Sequence, residues 1–532
     1  MTSEPIPAPA PPARVEAHAR RRAYAARWVP WTILALALAV RLVALDLRPA
    51  HSDEGVNGWF VERLLSSGHY RYDPENYHGP LHYYLLALTR LVLGRNLWSL
   101  RLPTVLLGVA AVWLAMRCAD ALGRRTAWLA ALFLAVSPAM VLYARWAIHE
   151  TDFLVFSLLA LRGLCRWWVR RDRPAIWMVA MGAAGAVATK EVWVLHGAVL
   201  VAAAAAWWGL ERWRPSGVRL PPPSWRALWP PAAVALAALA LLYSGFGMDL
   251  DGLRRFFAPY MIWTERAIQG AGHDKPWHYW LMLLARYEQP ALLGLLAAPL
   301  AAWRAHPLLR LLAVYGVGAL VAYSAVPYKT PWCVLQLVWP LLFLGAWAIA
   351  SLSRRWPGPA TTVAALLAAV SLVLAARVSF VRYDDAREPY VYVQPYRDGL
   401  APVELLRRAA EADPTLLGEP VHVLMKLSWP VPWLLGDFTR AGYWPEGQPP
   451  PGDAVALFVD DARRAQVEPL LRRRYAMVPF RASPVHAPAR AYFDVERLER
   501  WVPSDADVFE PKPSATPAAA TAPAAPPPAG TR

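Results

Sequence analysis

The chain has 532 residues, of which 57% are hydrophobic, and its mean hydropathy of +0.25 is too high for an ordinary soluble protein. The formal net charge of +16 comes mostly from arginines that flank apolar segments, where they orient membrane spans, so a nucleic-acid partner is excluded. The three cysteines, Cys118, Cys165 and Cys333, have no CxxC spacing and indicate neither a disulfide framework nor a zinc finger. The composition indicates a mostly α-helical, polytopic membrane protein.

Apolar stretches follow one another from residue 29 to residue 380, and many approach the ~20 residues that cross a bilayer. We predict eleven spans, at residues 29–47, 102–121, 127–143, 153–169, 176–189, 192–210, 228–246, 277–303, 308–326, 332–350 and 360–380.

A twelfth apolar stretch, residues 81–94, is short and is interrupted by Arg90. If it does not cross and the N-terminus is cytoplasmic, the arginine-rich connections all fall inside, as the charge bias of membrane proteins requires. We therefore predict that it forms a juxtamembrane or re-entrant helix in a long first external loop. This topology predicts that the charged motifs described below face away from the cytoplasm.

Four segments are predicted along the chain. Residues 1–27 form a basic, disordered cytoplasmic N-terminus, and residues 28–381 form the transmembrane module. Residues 382–503 form a small extracytoplasmic α/β domain, because strand patterns at 421–425, 454–459 and 475–480 flank a helical pattern at 462–473. Residues 504–532 form a disordered tail rich in Pro and Ala.

Two adjacent acids, Asp53 and Glu54, follow the first apolar stretch. Carboxylates at the mouth of a membrane span are costly, so they are candidates for a catalytic or ligand site. They begin the pattern of a short amphipathic helix, and a carboxylate there can act as general base on an incoming hydroxyl. The alternative is that both residues only place negative charge at a helix N-terminus.

The segment Arg145-Trp146-Ala147-Ile148-His149-Glu150-Thr151-Asp152 places Arg145 and the acids Glu150 and Asp152 between two spans. It is either an ordinary polar loop or part of a site.

Thr189-Lys190-Glu191 lies at another junction, where an unpaired charge at membrane depth costs ~2.5 to 3.5 kcal/mol. Lys190 therefore needs an anionic partner, which is either Glu191 or a substrate phosphate.

Tyr328 and Lys329 lie at the end of a span, where Lys329 is either a phosphate contact or a positional anchor. His78 and His82 occupy another interfacial segment, without the HExxH spacing of a zinc protease. No cofactor is indicated, although a divalent metal assembled across loops from His51, His78 or Asp53 is an open alternative. Aromatic residues at 429–433 and 443–444 either stack on sugars or belong to a core.

These motifs, in this order, resemble the C-type glycosyltransferase superfamily, especially its protein O-mannosyltransferase and aminoarabinose-transferase-like branch. The likeness rests on Asp53-Glu54, His78-Gly79-Pro80-Leu81-His82-Tyr83-Tyr84, Arg101-Leu102-Pro103, Ser137-Pro138 and Tyr143-Ala144-Arg145. The chain is more closely similar to flippase-associated membrane proteins of archaeal glycosylation loci and their bacterial relatives, through Thr189-Lys190-Glu191, Tyr328-Lys329-Thr330-Pro331-Trp332 and Ser428-Trp429-Pro430-Val431-Pro432-Trp433. The resemblance covers roughly residues 31–444.

The resemblance implies an integral enzyme of the plasma (inner) membrane that transfers a hexose, such as mannose, from a polyprenyl-phosphate donor on the extracytoplasmic face. The acceptor is a glycan, lipid or protein. Asp53 would be the base or would orient the acceptor, a second acid falls on Glu150, and Lys190, Lys329 or Arg145 would hold the phosphate. A single displacement would invert the anomeric centre. The competing interpretations are a non-enzymatic polyprenyl-phosphate-sugar binding protein that assists flipping, and a structural or sensory membrane protein.

Overall fold

The computed structural model describes residues 13–216, 222–261 and 272–511, with side chains from residue 27 onward. The helices of its first part are α1 Ala13–Leu42, α2 Ser52–Ser67, α3 Leu81–Leu93, α4 Leu97–Arg117, α5 Ala119–Leu122, α6 Arg124–Val136, α7 Pro138–Tyr143, α8 His149–Arg170, α9 Arg173–Thr189, α10 Trp193–Trp213 and α11 Trp225–Tyr243. They are followed by α12 Gly252–Arg255, α13 Tyr279–Tyr287, α14 Gln289–Arg304, α15 Pro307–Ala325, α16 Val334–Leu352 and α17 Pro357–Ala376. Each of the eleven predicted stretches is helical over most of its length.

Six helical segments in the described part of the chain are long and apolar enough to cross a membrane, which confirms a multi-pass helical membrane protein. They are Leu97–Leu122, Trp193–Trp213, Trp225–Tyr243, Pro307–Ala325, Pro331–Leu352 and Pro357–Val381. Helix α3 has only 13 residues, about 20 Å at the rise of an α-helix, whereas a bilayer core is about 30 Å thick. That length agrees with a helix that does not cross.

Two of the predicted spans, 127–143 and 277–303, contain a break in the helix, and the residues at the two breaks are in contact. Pro138, at the first position of α7, cannot continue α6, and α14 restarts after Glu288. The buried Glu288 carboxylate accepts hydrogen bonds from Ser137 Oγ at 2.8 Å and from Ala139 N at 2.8 Å. It therefore satisfies donors at the start of α7 that have no partner within their own helix.

The structure corrects the boundaries of both predicted disordered ends. Helix α1 begins at Ala13, inside the predicted disordered segment 1–27, because residues 13–27 are rich in the helix formers Ala and Arg. Residues 1–12 lie outside the described residues. At the other end a strand forms at Asp507–Phe509, beyond the predicted domain limit of 503, and residues 512–532 lie outside the described residues.

The C-terminal part is an α/β unit with α18 Ala401–Ala412, β1 Pro420–Leu424, α19 Val431–Leu434, β2 Arg440–Tyr443, β3 Ala456–Asp460, α20 Arg464–Val467, β4 Tyr475–Phe480, β5 Ala489–Asp494, α21 Val495–Leu498 and β6 Asp507–Phe509. Its sheet has the order β2-β1-β3-β5-β4-β6. The β2, β1 and β3 strands run parallel, and the other neighbours pair antiparallel. The helix predicted at 462–473 shrinks to α20, because Pro469 cannot extend it.

Separate apolar cores fill the helical bundle and the two faces of the sheet. A smaller core joins the two parts of the molecule, since Trp433 of α19 packs with Val56 and Phe60 of α2 and Tyr83 of α3. The C-terminal unit therefore rests directly on the first loop, where the acidic motif lies.

Candidate active site

One open cavity, which we call the chamber, collects most of the charged motifs predicted from the sequence. Its empty space, including the part open to solvent, is about 1100 Å³. Of the predicted site residues, the chamber is lined by Asp53, His78, Glu150, Lys190, Glu191, Tyr328 and Lys329. The other four, Glu54, His82, Arg145 and Asp152, do not line it.

Asp53 reaches the chamber from the first turn of α2. The turn is fixed by a capping box at His51, whose Nδ1 accepts from Asp53 N at 3.1 Å and whose own N donates to Glu54 Oε2 at 3.0 Å. The Asp53 side chain keeps 20% of its surface exposed, and the positive end of the helix dipole favours its ionised form. An accessible carboxylate at this place can accept a proton.

Glu54 is turned away from the chamber and is fully buried. Arg101 binds it with two hydrogen bonds, at 2.7 Å to Oε1 and 2.6 Å to Oε2, and Ala147 N donates to Oε1 at 3.1 Å. Burial alone would raise the pKa of Glu54, but the Arg101 guanidinium lowers it to about 2. At neutral pH this acid is therefore charged, and Arg101 is its fixed partner behind the chamber.

Arg145 is also placed behind the chamber, where it caps the end of α1. Its Nη1 donates to the carbonyls of Arg41 at 2.8 Å and Val43 at 2.7 Å, and its Nη2 donates to Ala44 O at 2.6 Å. Carbonyls at a helix C-terminus have no partner within the helix, and a cation there also complements the dipole. Arg145, which the sequence predicted to contact a phosphate, therefore binds backbone carbonyls instead.

Lys190 and Glu150 form an ion pair in the chamber wall. Lys190 ends α9 and Glu150 lies in the first turn of α8, so the pair joins two helix ends. The sequence left Glu191 and a substrate phosphate as partners of Lys190, and the structure supplies Glu150 instead. Burial alone would lower the pKa of Lys190, but the Glu150 carboxylate raises it well above its ordinary value.

Three histidine rings lie in contact beside this ion pair, and the two neighbouring pairs are tilted by 38° and 40°. The His149 ring lies 4.3 Å from that of His78 and 4.2 Å from that of His82, measured between centroids. His78 Nδ1 is 2.9 Å from Glu191 Oε2, and His82 Nδ1 is 2.7 Å from Asp152 Oδ2. His82 and Asp152 thus lie one layer behind the chamber. His149 lines the chamber and was not a predicted site residue, although it belongs to the polar segment 145–152.

Gly79 explains how the His78 loop reaches the end of α9. Its N donates to Thr189 O at 3.0 Å, and a Cβ at this position would lie 2.1 Å from the carbonyl oxygen of Ala188. Only glycine permits this close approach of two backbones.

Lys329 enters the chamber on a pair of loops joined by backbone hydrogen bonds. Lys329 N donates to His273 O at 3.0 Å, and Lys275 N donates to Pro327 O at 3.1 Å. The Lys329 ammonium donates to the carbonyls of Val326 and, at 3.2 Å, Lys275. Within the described residues it has no carboxylate at ion-pair distance, unlike Lys190. Lys329 is therefore the better candidate to hold a phosphate.

No group of three His, Cys, Asp or Glu side chains in the described part of the chain is placed to hold a metal ion. His51, one of the metal ligands considered from the sequence, is buried against Trp146 at a centroid distance of 4.5 Å. Its Nδ1 caps α2, and its Nε2 lies 3.3 Å from Tyr392 O.

The C-terminal unit holds α2 through a flat face made by two glycines. A Cβ at Gly55 would lie 2.5 Å from Pro430 Cβ, and a Cβ at Gly58 would lie 2.5 Å from Trp433 Nε1. Ser52 Oγ donates to Trp429 O at 3.3 Å. The sequence left sugar stacking and core packing open for these aromatic residues, and the structure buries Trp433 in the core that contains α2.

Comparisons with known proteins agree with this architecture. The profile of the family described as dolichyl-phosphate-mannose-protein mannosyltransferase matches residues 77–215. ArnT from Cupriavidus metallidurans, solved with undecaprenyl phosphate, superposes with a TM-score of 0.60 at 16% identity, over 87% of this chain and 97% of that chain. The archaeal oligosaccharyltransferase AglB from Archaeoglobus fulgidus, solved with an inhibitory peptide and a dolichol-phosphate, gives 0.50 at 11% identity, over 92% and 76%.

No curated protein matches the chain. The resemblance drawn from the motifs is nevertheless confirmed at the level of architecture. The chain has the fold of the C-type glycosyltransferase superfamily.

Proposed function

We propose that the chain is an integral membrane glycosyltransferase that uses a polyprenyl-phosphate-linked sugar as its donor. The observation that carries this proposal is the chamber, in which an accessible acid, Asp53, and a lysine that has no carboxylate partner within the described residues, Lys329, share one cavity. ArnT and AglB, which have similar folds, were solved with undecaprenyl phosphate and a dolichol-phosphate. Both ligands are polyprenyl phosphates, which supports this class of donor here.

The reaction needs a base and a cation but no general acid. An acceptor hydroxyl attacks the anomeric carbon of the donor, and its proton passes to the Asp53 carboxylate. The bond between the anomeric carbon and the phosphate oxygen breaks, and the phosphate leaves with the electron pair. Its charge is stabilised by Lys329. A single displacement of this kind inverts the anomeric centre.

The Glu150–Lys190 pair has a different part in this mechanism. Because Lys190 is neutralised by Glu150, it adds little net charge, and the pair fixes the ends of α8 and α9 beside the donor. Under the topology predicted from the arginine distribution, the chamber opens on the extracytoplasmic side of the plasma (inner) membrane. The acceptor is a glycan, lipid or protein.

Asp53→Asn tests the proposal in vesicles that contain the purified protein and a radiolabelled polyprenyl-phosphate sugar. We expect the transfer rate to fall by about 10² to 10⁴, because the general base is lost while the helix turn is kept. Glu75→Gln, an exposed acid of the same loop, is the matched control and should keep the wild-type rate. Transfer by Asp53→Asn at the wild-type rate would contradict the assignment of the base.

Lys329→Gln tests the phosphate contact, and its comparison with Asp53→Ala separates transfer from mere carrier binding. We expect a loss of about 2.7 to 4 kcal/mol in transition-state stabilisation, the usual cost of removing an electrostatic donor. Lys426→Gln, an exposed lysine of the C-terminal unit, serves as control. A protein that only binds the carrier and assists flipping needs Lys329 but tolerates Asp53→Ala. Lipid translocation measured in the same vesicles therefore distinguishes the two functions.

A further inference from the structure

A second cavity lies at the far end of the helices that carry the chamber. This feature, here the Trp–Arg groove, has an empty space of about 1020 Å³. It is bounded by α1, α4, α5, α6 and α8, and its lining includes Trp31, Trp113, Trp128, Arg117, Arg162 and Arg170. The function proposed above makes no use of it.

The groove and the chamber are separated by the length of two helices. Helix α4 runs from the Arg101 end, which binds Glu54, to Arg117 in the groove. Helix α8 runs from His149 and Glu150 in the chamber to Arg170 in the groove. Each helix is about 30 Å long at ~1.5 Å per residue, which is the thickness of a bilayer core. The groove therefore lies at the opposite membrane surface.

The lining of the groove carries excess positive charge. Arg162 is buried and forms a bidentate pair with Asp120, at 2.7 and 2.9 Å, which neutralises one arginine. Arg117 and Arg170 are exposed and form no ion pair among the residues that the structure describes, and Asp172, which lies near Arg170, is paired with Arg166. Arg117 lies over the Trp113 ring, 5.8 Å from its centroid, which holds it at the groove wall. Two guanidiniums are thus available to an anion.

The aromatic residues of the groove fit a membrane interface. Trp31 is 65% exposed and Trp113 is 47% exposed, and tryptophan at headgroup level is typical of membrane proteins. Trp31, Leu34 and Leu38 are three and four residues apart on α1, so they form one stripe that leads away from the groove towards the bilayer core. Guanidiniums can bind a phosphate, and an apolar stripe can pack against hydrocarbon. The groove therefore matches the two parts of a phospholipid.

We propose that the Trp–Arg groove binds the phosphate of an anionic glycerophospholipid in the leaflet opposite the chamber. Arg117 and Arg170 contact the phosphate, and an acyl chain follows Trp31, Leu34 and Leu38. A phosphate in the groove is a bilayer thickness from Asp53, so it cannot be the leaving group of the reaction proposed above. The inference is therefore independent of that proposal.

Native mass spectrometry of the full chain with dioleoyl phosphatidylglycerol or dioleoyl phosphatidylcholine tests the site. We expect the wild type to retain phosphatidylglycerol in preference to phosphatidylcholine. The double variant Arg117→Gln/Arg170→Gln should bind phosphatidylglycerol at least roughly tenfold more weakly, since two charged hydrogen-bond donors are lost. The control Arg354→Gln/Arg355→Gln removes two exposed arginines outside the groove and should bind as the wild type does.

The proposal would be overturned by equal retention of the two lipids, by undiminished binding in the groove variant, or by an equal loss in the control variant. Undecaprenyl phosphate is the competing occupant, so it is added as a third lipid. If it displaces phosphatidylglycerol from the wild type at equal concentration, the assignment to a glycerophospholipid is wrong. Trp113→Leu keeps both arginines and should lose less affinity than the double arginine variant.

Discussion

The same sequence motifs supply residues to the chamber and to a buried layer behind it. The residues of the first set line an open cavity, whereas those of the second set are buried. Asp53, Glu150 and His78 line the chamber, whereas their neighbours Glu54, Asp152 and His82 lie behind it. In the layer behind, Glu54 is bound by Arg101 and Asp152 by His82. A motif rich in charge therefore supplies one residue that lines the chamber and another that is buried behind it.

Helix geometry produces this division. Successive residues of an α-helix point about 100° apart, so Asp53 and Glu54 at the start of α2 face different surroundings. Asp152 is two residues beyond Glu150 on α8 and points to the other side. Removing a residue of the layer behind should therefore cost stability, whereas removing a chamber residue should cost activity.

The largest effect is expected from Glu54→Gln, which leaves the Arg101 charge buried without its partner. Breaking a buried ion pair from one side costs about 3 to 5 kcal/mol. Chemical unfolding in detergent measures this loss, with Glu75→Gln as the control and Asp53→Asn expected to stay close to the wild type. If Glu54→Gln had wild-type stability and lost only sugar transfer, the assignment of Glu54 to a structural layer distinct from the chamber would be wrong.

A smaller effect is expected where the C-terminal unit holds α2. Gly58→Ala forces a Cβ against Trp433, and such overpacking costs about 1 to 3 kcal/mol. Gly197→Ala, in α10, meets nothing within 4 Å and should leave the unfolding transition unchanged or slightly higher. Because Trp433→Leu itself removes buried contacts, the test is whether Gly58→Ala costs less in a Trp433→Leu background than in the wild type. If it costs the same in both, the contact between Gly58 and Trp433 does not cause the effect.

The smallest effect is a dependence of stability on pH that belongs to Glu54. Its pKa is about 2 in the folded protein and 4.5 ordinarily, so its ionisation stabilises the fold fully above pH 4.5 and progressively less as pH falls towards 2. Between about pH 6 and pH 4 the free energy of unfolding should fall by roughly 1 kcal/mol from this group. The free energy of unfolding is measured against pH for the wild type and for Glu54→Gln, and the difference between the two curves is the contribution of Glu54. Parallel curves would refute this prediction.

Local patterns were sufficient to predict the helical stretches and strands β1, β3 and β4. They failed at residues 13–27, where an alanine-rich run is helical, and at 462–473, where a proline ends the helix. The breaks inside two spans were also missed, since Glu288 at one break satisfies donors at the other break, which lies in a distant part of the chain.

The sequence by itself determined that this is a helical membrane protein with its acidic, basic and histidine motifs at span junctions, because hydropathy, helix period and charge bias are local properties. Only the tertiary structure decided which charges pair. Lys190 meets Glu150 across 40 residues and Arg101 meets Glu54 across 47, and sequence spacing carries no information about such contacts. The tertiary structure also decided that Trp433 packs on α2, because only folding brings a glycine face and a distant indole together.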